Sequence, residues 1–295
     1  MGPEPRVTVG MPVYNGGPAL RTVIEGVLAQ TYPAFRLVIS DNASTDGTEG
    51  LCREIAERDP RVTYIRQSVN IGPEANFDFV LNRADTEYFM WAAADDLRSE
   101  DFLQQSAGFL DGHPDYVGAT CPVRFSGRAF DPVGMGDETR DETDRFERML
   151  RFFATWHANG RFYSLFRTDA VRRGRYSGQS FLGADWVTVL ELLSQGKMMR
   201  LESGYVELGK GGASHTLNIF SRYRRGMAGW VFPFKDFSIR TARLFSGARP
   251  GQKLKLLGIL AKLNVQAVKL QIRFEIRKRR RKVRAPVKLS GSTSL

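Results

Sequence analysis

Four short apolar runs divide the first part of the chain, and each stops at a cluster of turn-forming or polar residues. Residues 7–13 are rich in valine and lead into Tyr14, Asn15, Gly16, Gly17 and Pro18. Residues 35–40 meet Asp41, Asn42, Ser44, Asp46 and Gly47, residues 62–65 run on to Asn70, Gly72 and Pro73, and residues 88–94 end on Asp95 and Asp96. Between the runs, apolar residues recur at helical spacing: Leu20, Val23, Ile24, Val27 and Leu28, then Leu51, Ile55 and Ala56, then Phe77, Val80 and Leu81. Asp46 or Thr48 is the expected cap of the second helix. This alternation of strand and helix predicts an α/β fold with a mostly parallel sheet flanked by helices. In such a sheet the carboxyl ends of the strands open on one crevice, so Asn15, Asp41, Asn42, Asp95 and Asp96 are expected to converge there.

Two neighbouring aspartates at the end of a buried strand are costly unless something positive meets them. A hard divalent cation, Mg²⁺ or Mn²⁺, suits oxygen-only ligation by one or two carboxylates plus substrate phosphates. The competing reading is a solvated turn that caps the helix expected from about Asp101. No GxGxxG follows the first strand and no GxxxxGK[ST] occurs, so neither a dinucleotide fingerprint nor a phosphate loop is present.

Charge is distributed unevenly. The net charge is +11, yet residues 221–295 hold 20 Lys/Arg against 2 Asp/Glu, a local +18, which leaves the first 220 residues at −7. An acidic body with a basic tail points to an anionic partner, either membrane phosphates or nucleic acid. Cys52 and Cys121 are the 2 cysteines and form no CxxC, so neither a disulfide framework nor a zinc site is indicated. Residues 1–6 lack the apolar stretch of a signal peptide, and no apolar run approaches the ~18 residues of a spanning helix. A cytoplasmic protein is expected.

The ordered set Pro12, Tyr14, Asn15; Gln30, Thr31; Asp41, Asn42, Asp46, Gly47, Thr48; Asn70, Gly72; and Asp95, Asp96 resembles the family 2 glycosyltransferases with the GT-A fold, over roughly residues 7–215. The resemblance implies inverting transfer of a sugar from a nucleotide-diphospho-sugar, UDP-linked in the usual case, with Mn²⁺ or Mg²⁺. It places Pro12, Tyr14 and Asn15 along the nucleotide pocket, with Asn42 and Asn70 beside them, and Asp41 against the base. It sets Asp95 against ribose and diphosphate, and Asp95 with Asp96 against the metal. The family's common pattern is Asp-x-Asp, and its first position falls here on Ala93. By family position Asp185 resembles the general base that takes the acceptor hydroxyl's proton. Such a carboxylate suits a single in-line displacement, although a helix start also favours one. Where relatives carry a histidine near the leaving diphosphate, this chain has Lys210, Gly211 and Gly212 followed by His215. The glycine amides and Lys210 are phosphate-binding candidates or an ordinary turn.

Residues 116–123 and 162–167 read as strands, residues 145–156 as a helix, 187–193 as another, and 198–201 and 204–208 as strands. The resemblance assigns the 162–167 region to the acceptor side. Residues 1–220 are expected to form the transferase domain, 221–285 a basic amphipathic helical extension and 286–295 a disordered tail. In the extension, Leu256, Leu260, Leu263, Ala267, Leu270 and Phe274 recur at helical spacing, with lysines elsewhere around the cylinder. That pattern suits either an anionic membrane surface, at the inner face of a membrane, or packing on the catalytic domain. No recognised nucleic-acid module accompanies the basic cluster. The resemblance implies a glycan or lipid-linked acceptor, since many similar transferases act on lipid-linked ones, and the Gln-x-x-Arg-Trp pattern of processive relatives is missing, so addition of one sugar is expected. A nucleotidyltransferase and a non-catalytic nucleotide-sugar-binding relative are the competing functions.

Overall fold

The computed structural model describes residues 3–125, 137–154, 160–174, 180–209, 219–224 and 226–284, with side chains to residue 278. The first half alternates as its apolar pattern requires: β1 (Val7–Val13), α1 (Leu20–Leu28), β2 (Phe35–Asp41), α2 (Thr48–Arg58), β3 (Val62–Arg66), α3 (Pro73–Asn82) and β4 (Tyr88–Trp91). Then come β5 (Leu97–Arg98), α4 (Phe102–Gly112), β6 (Tyr116–Thr120), β7 (Val123–Phe125) and α5 (Arg145–Arg151). A 3₁₀ turn at Gly160–Tyr163 precedes β8 (Leu165–Arg167), α6 (Thr168–Arg173), α7 (Ala184–Gln195), β9 (Lys197–Arg200) and β10 (Val206–Leu208). The basic extension is helical: α8 (Ile219–Tyr223), α9 (Ala228–Val231), α10 (Lys235–Leu244) and the long α11 (Pro250–Arg284).

Seven strands form one sheet in the order β3-β2-β1-β4-β8-β6-β9, in which only β8 runs against its neighbours. A smaller sheet, β5-β10-β7, lies beyond it. From β1 the chain winds outward through β2 to β3, and β4 then returns to the other side of β1. Strand order reverses between β1 and β4, the usual place for a ligand crevice in a doubly wound sheet.

Side chains of a strand alternate between faces, and the two cores follow that alternation. Val7, Val9, Met11, Leu37, Ile39, Tyr88 and Met90 pack on one face with Leu20, Ile24, Cys52, Phe102 and Leu103. Val38, Phe89 and Trp91 point to the other face, against Val80, Phe166, Val189 and Leu193. On that face α3 crosses β1 at Gly10, where a Cβ would come within 2.8 Å of Val80 and 2.9 Å of Phe89, so only glycine admits the helix. Both cysteines are buried, and burial pushes each thiol up to about 12, away from any reactive role.

Several elements depart from the sequence reading. Residues 116–123 split at Cys121 and Pro122, so β6 joins the large sheet and β7 the small one. Residues 162–167 begin as a 3₁₀ turn and only Leu165–Arg167 is strand. The fifth helix stops at Arg151 and not at residue 156. Leu256, Leu260, Leu263 and Ala267 of α11 are buried in the same cluster as Val38 and Trp91, so that face of the helix packs on the catalytic body. The expected disordered tail, 286–295, lies outside the described residues.

Candidate active site

The crevice is walled by the loops after β1 and β2, which are stitched together by hydrogen bonds. Asn15 Oδ1 accepts from Thr45 N (2.8 Å), Asn15 N donates to Ser44 Oγ (2.9 Å) and Gly16 N donates to Thr48 Oγ1 (2.9 Å). Asp46 accepts from Thr48 N at 3.0 Å just ahead of α2, but the cap of that helix is Gly47, without a side-chain bond, and not Asp46 or Thr48 as expected. Asn15 (φ 50°) and Ala43 (φ 58°) both adopt the left-handed region. Non-glycine residues occupy that region only when their surroundings hold them there, commonly at ligand sites. Tyr14 is exposed on the rim and Pro12 is buried beneath it.

Asp41 ends β2 and is fully buried. Its carboxylate accepts from Ser44 N (2.9 Å), Tyr64 Oη (2.8 Å) and Arg66 Nη1 (3.1 Å). These three bonds fill all but about one of the four acceptor directions of a carboxylate, and on Oδ2 a ligand donor would compete with Tyr64 and Arg66. Asn42 and Asn70 serve the backbone: Asn42 Oδ1 accepts from Ile71 N (2.8 Å) and Asn70 Oδ1 from Gly72 N (2.9 Å). They shape the pocket wall by holding the 70–72 turn.

Asp95 and Asp96 follow β4 at the strand-order reversal. They are held there from both sides. Gln30 Nε2 donates to Ser99 O (2.8 Å) and its Oε1 accepts from Leu103 N (2.9 Å), tying the end of α1 to the segment after the aspartates. Gly209, just after β10, donates to Asp96 Oδ1 at 2.9 Å. A Cβ on Gly209 would strike the Asp95 backbone oxygen and lie 2.5 Å from its Oδ2, so the chain passes flush against the pair. Asp96 is 5% exposed, and its Oδ2 is buried with no hydrogen-bond partner. Burial pushes this carboxyl up to about 6, against the nearby Arg98 charge and the Gly209 bond. Arg98 is itself buried, and its Nη2 donates to Trp91 O at 3.2 Å.

Asp185 is the second residue of α7. Gly183 before it has φ +86°, and a Cβ there would lie 3.1 Å from Phe237 and 3.3 Å from Phe234 of the extension. The same phenylalanines flank Trp186, with ring centroids 6.0 Å (Phe234) and 5.9 Å (Phe237) away, so Trp186 is a core residue. One side chain links Asp185 to the pair after β4. The Tyr163 hydroxyl, in the 3₁₀ turn, is held in its neutral form by burial and then by the charges of Asp96, Asp185 and Asp95 in that order. All three carboxylates are thus near enough to act electrostatically on one phenol.

Sequence reasoning missed several participants. Tyr163 sits in a segment that reads as an acceptor-side strand but begins as a 3₁₀ turn, and neither Arg98 nor Gly209 belongs to a spacing pattern. Glu74, in the first turn of α3, meets Ser180 Oγ (3.3 Å) and Arg222 (3.6 Å), and it hydrogen bonds Tyr223 of α8. Tyr223 also feels the charge of Asp185, so the extension starts beside the crevice. Lys210, Gly211, Gly212 and His215 lie outside the described residues.

The donor set suits a hard cation: two carboxylates and, at Asp96, a buried oxygen with no donor. Among the described residues no group of three or more His, Cys, Asp or Glu could hold a metal; substrate phosphate and water are the further ligands that a hard cation commonly takes.

The profile of one family, glycosyl transferase family 2, matches residues 8–175. Similar curated proteins include glycosyltransferase GlyA of Streptococcus pneumoniae, 32% identical over 101 residues (34% of this chain, 14% of that protein). Putative glycosyltransferase EpsE of Bacillus subtilis is 32% identical over 117 residues, covering 39% of this chain and 42% of the relative. The chain therefore spans less than half the length of either. Among solved structures, S. aureus TarS 1–349 in complex with UDP-GlcNAc superposes with a TM-score of 0.65 at 17% identity, over 87% of this chain and 71% of that one. The mannosyltransferase PcManGT from Pyrobaculum calidifontis, in complex with GDP-Man and Mn²⁺, gives a TM-score of 0.54 at 20% identity, over 92% and 81%. These likenesses show the shared fold. With more than half of the sequence under the family profile, the chain belongs to glycosyl transferase family 2.

Proposed function

We propose that this protein is an inverting, metal-dependent glycosyltransferase that moves one sugar from a nucleotide-diphospho-sugar, UDP-linked, to a hydroxyl of a glycan or lipid-linked acceptor. The observation that carries the reading is the Asp95, Asp96 pair at the reversal of strand order, with the Asp96 Oδ2 buried and without a hydrogen-bond partner. Residues 1–220 form the transferase unit, and the extension 221–285 braces α7 and meets an anionic membrane surface at the inner face of a membrane. Nucleotide-sugar complexes of TarS and PcManGT support the donor class.

The nucleoside lies in the crevice between the β1 and β2 loops. Tyr14 covers it from the rim, Asn15 fixes the two loops, and an N–H of the base takes the place of Arg66 on Asp41. The diphosphate extends toward the end of β4. Asp95 and Asp96 would hold Mn²⁺ or Mg²⁺, Asp96 through the oxygen that lacks a donor, and the cation would offset the charge that builds on the leaving diphosphate. Asp185, on the acceptor side, takes the proton of the attacking hydroxyl. The new bond forms at the anomeric carbon as the bond to the diphosphate oxygen breaks on the opposite face, so configuration inverts and the nucleoside diphosphate leaves. Tyr163 stays protonated between the carboxylates and can donate a hydrogen bond to them or to the sugar.

The test is product analysis with UDP-sugars and Mn²⁺ or Mg²⁺. Release of nucleoside diphosphate, abolished by Asp95→Ala and by chelator, is expected. Release of pyrophosphate would mean nucleotidyl transfer, and full turnover by Asp95→Ala, Asp96→Ala and Asp185→Asn alike would sink the assignment.

A further inference from the structure

Helix α11 has two apolar faces. One, with Leu256, Leu260, Leu263 and Ala267, is buried on the catalytic body. At about 100° per residue, a second stripe runs along the opposite side through Leu254, Leu257, Ala261, Val265, Ile272 and Ile276, with the half-buried Val268 completing it. Leu254 is 71% exposed, Leu257 60% and Val265 53%, so no element among the described residues covers the stripe. It spans 22 positions, roughly 33 Å at the rise of an α-helix. An isolated exposed leucine is ordinary, but a continuous row of this length marks a contact surface.

The borders identify what the row meets. Lys255, Lys262, Lys269 and Arg273 fall along one flank of the stripe and are all exposed. On the other flank lies α9, fixed to α11 where Gln271 Nε2 donates to Gly229 O and Trp230 O, both at 3.4 Å. There Met227, Trp230, Val231 and Phe232 are exposed as well. The acid on this helix, Glu275, is already engaged by Arg224 at 3.7 Å. Beyond the stripe the sequence continues as Arg277, Lys278, Arg279, Arg280, Arg281 and Lys282. A second copy would have to bring an equally basic surface, from a +18 region, against this one. A bilayer with anionic headgroups satisfies both features: acyl chains take the stripe, interfacial aromatics sit at its edge and lysines reach the phosphates.

We infer that the outward stripe of α11, together with the α9 aromatics, is a surface by which the protein lies on anionic lipid, parallel to the membrane plane. This refines the membrane partner proposed above by naming the face. The residues that first suggest a lipid-facing helix in the sequence are mostly those buried on the protein, and the lipid-facing ones lie half a turn away. The site is placed to benefit, since Phe234, just before α10, and Phe237, in its first turn, support the start of α7 and hence Asp185.

The full chain should be floated with vesicles of phosphatidylcholine alone and with added phosphatidylglycerol. Binding is expected with the anionic vesicles only. Val265→Asp combined with Ile272→Asp should lower the bound fraction about tenfold or more, and Lys262→Glu with Lys269→Glu should lower it and weaken its salt dependence. All four positions are exposed, so thermal unfolding should match wild type, and lipid-free hydrolysis of the nucleotide sugar should be unchanged. Loss of hydrolysis in wild type would count against the catalytic reading and leave this surface standing. Wild-type binding by the Val265→Asp, Ile272→Asp variant would overturn the inference. So would a dimer in sedimentation equilibrium that the same variant dissolves, since a second copy would then be the occupant.

Discussion

Gly209→Ala is a small change with a large expected effect on the site. The glycine carries the backbone N–H that fixes Asp96 Oδ1 (2.9 Å), and its missing side chain faces Asp95. An added Cβ would lie 2.5 Å from Asp95 Oδ2 and 2.6 Å from its Cγ, where ordinary contact begins near 3.4 Å. The shortfall is roughly 0.9 Å at Oδ2 and about 1 Å or more at the Asp95 backbone oxygen, so rotating the carboxylate away does not remove the clash. The loop or the aspartate must move by about that amount. Overpacking of this kind costs about 1–3 kcal/mol of stability. A displacement near 1 Å of a positioning group costs about 10²-fold in rate. We expect kcat for release of nucleoside diphosphate to fall about a hundredfold, with a raised metal requirement and a melting temperature only a few degrees lower. The assay is steady-state turnover across a Mn²⁺ titration, paired with thermal unfolding. Wild-type turnover and metal dependence in a folded Gly209→Ala protein would refute the geometry assigned to β10 and the aspartate pair.

Other perturbations separate chemistry from scaffold. Asp185→Asn should lower turnover about 10²–10⁴-fold while leaving binding of the nucleoside diphosphate intact by calorimetry; equal loss of both would assign Asp185 to structure. Trp91 is fully buried, stacked on Phe162 at 4.7 Å and edge-on to Phe89 at 4.9 Å, so Trp91→Ala should cost about 3–5 kcal/mol in denaturant unfolding. A loss under about 1 kcal/mol would contradict the packing beneath the site. Asp111 accepts from Arg6 (2.7 Å) and Tyr88 Oη (2.7 Å), which hold its carboxyl below its usual 3.8 against the cost of burial. Its contribution is therefore present above about pH 4 and lost as pH falls through the lowered value. Asp111→Asn should remove part of the acid-induced drop in melting temperature, and an unchanged acid limb would show that the pair contributes nothing.

The first four strands and the convergence of their ends were legible because each strand is a short apolar run, bounded by Gly, Asn, Asp or Pro, and each helix repeats its apolar face. Beyond Trp91 the strands shrink to between 2 and 5 residues in β5, β6, β7 and β8, too short for alternation to show. The 3₁₀ turn that presents Tyr163 has no periodic signal, although the 162–167 segment had been assigned to the acceptor side. Asp95 and Asp96 stood out in the sequence as a charged pair ending an apolar run. What could not be read was their inequality, because it comes from Gly209 and from burial beside Arg98. Helix α11 illustrates a different limit. Both of its faces are apolar, and which one packs inward depends on α5, far away in the sequence.

The central claim is that Asp95 and Asp96 form a metal-dependent nucleotide-diphosphate site. Thermal unfolding with UDP, with and without Mn²⁺, tests it most directly, because a ligand that binds only the folded state raises apparent stability by about 2.7 kcal/mol at a hundred times its Kd. Wild type should be stabilised by UDP and Mn²⁺ together far more than by either alone, and Asp95→Ala should lose that joint gain while keeping its unliganded melting temperature. A joint gain of the same size in Asp95→Ala, or none in wild type with any nucleoside diphosphate, would contradict the account.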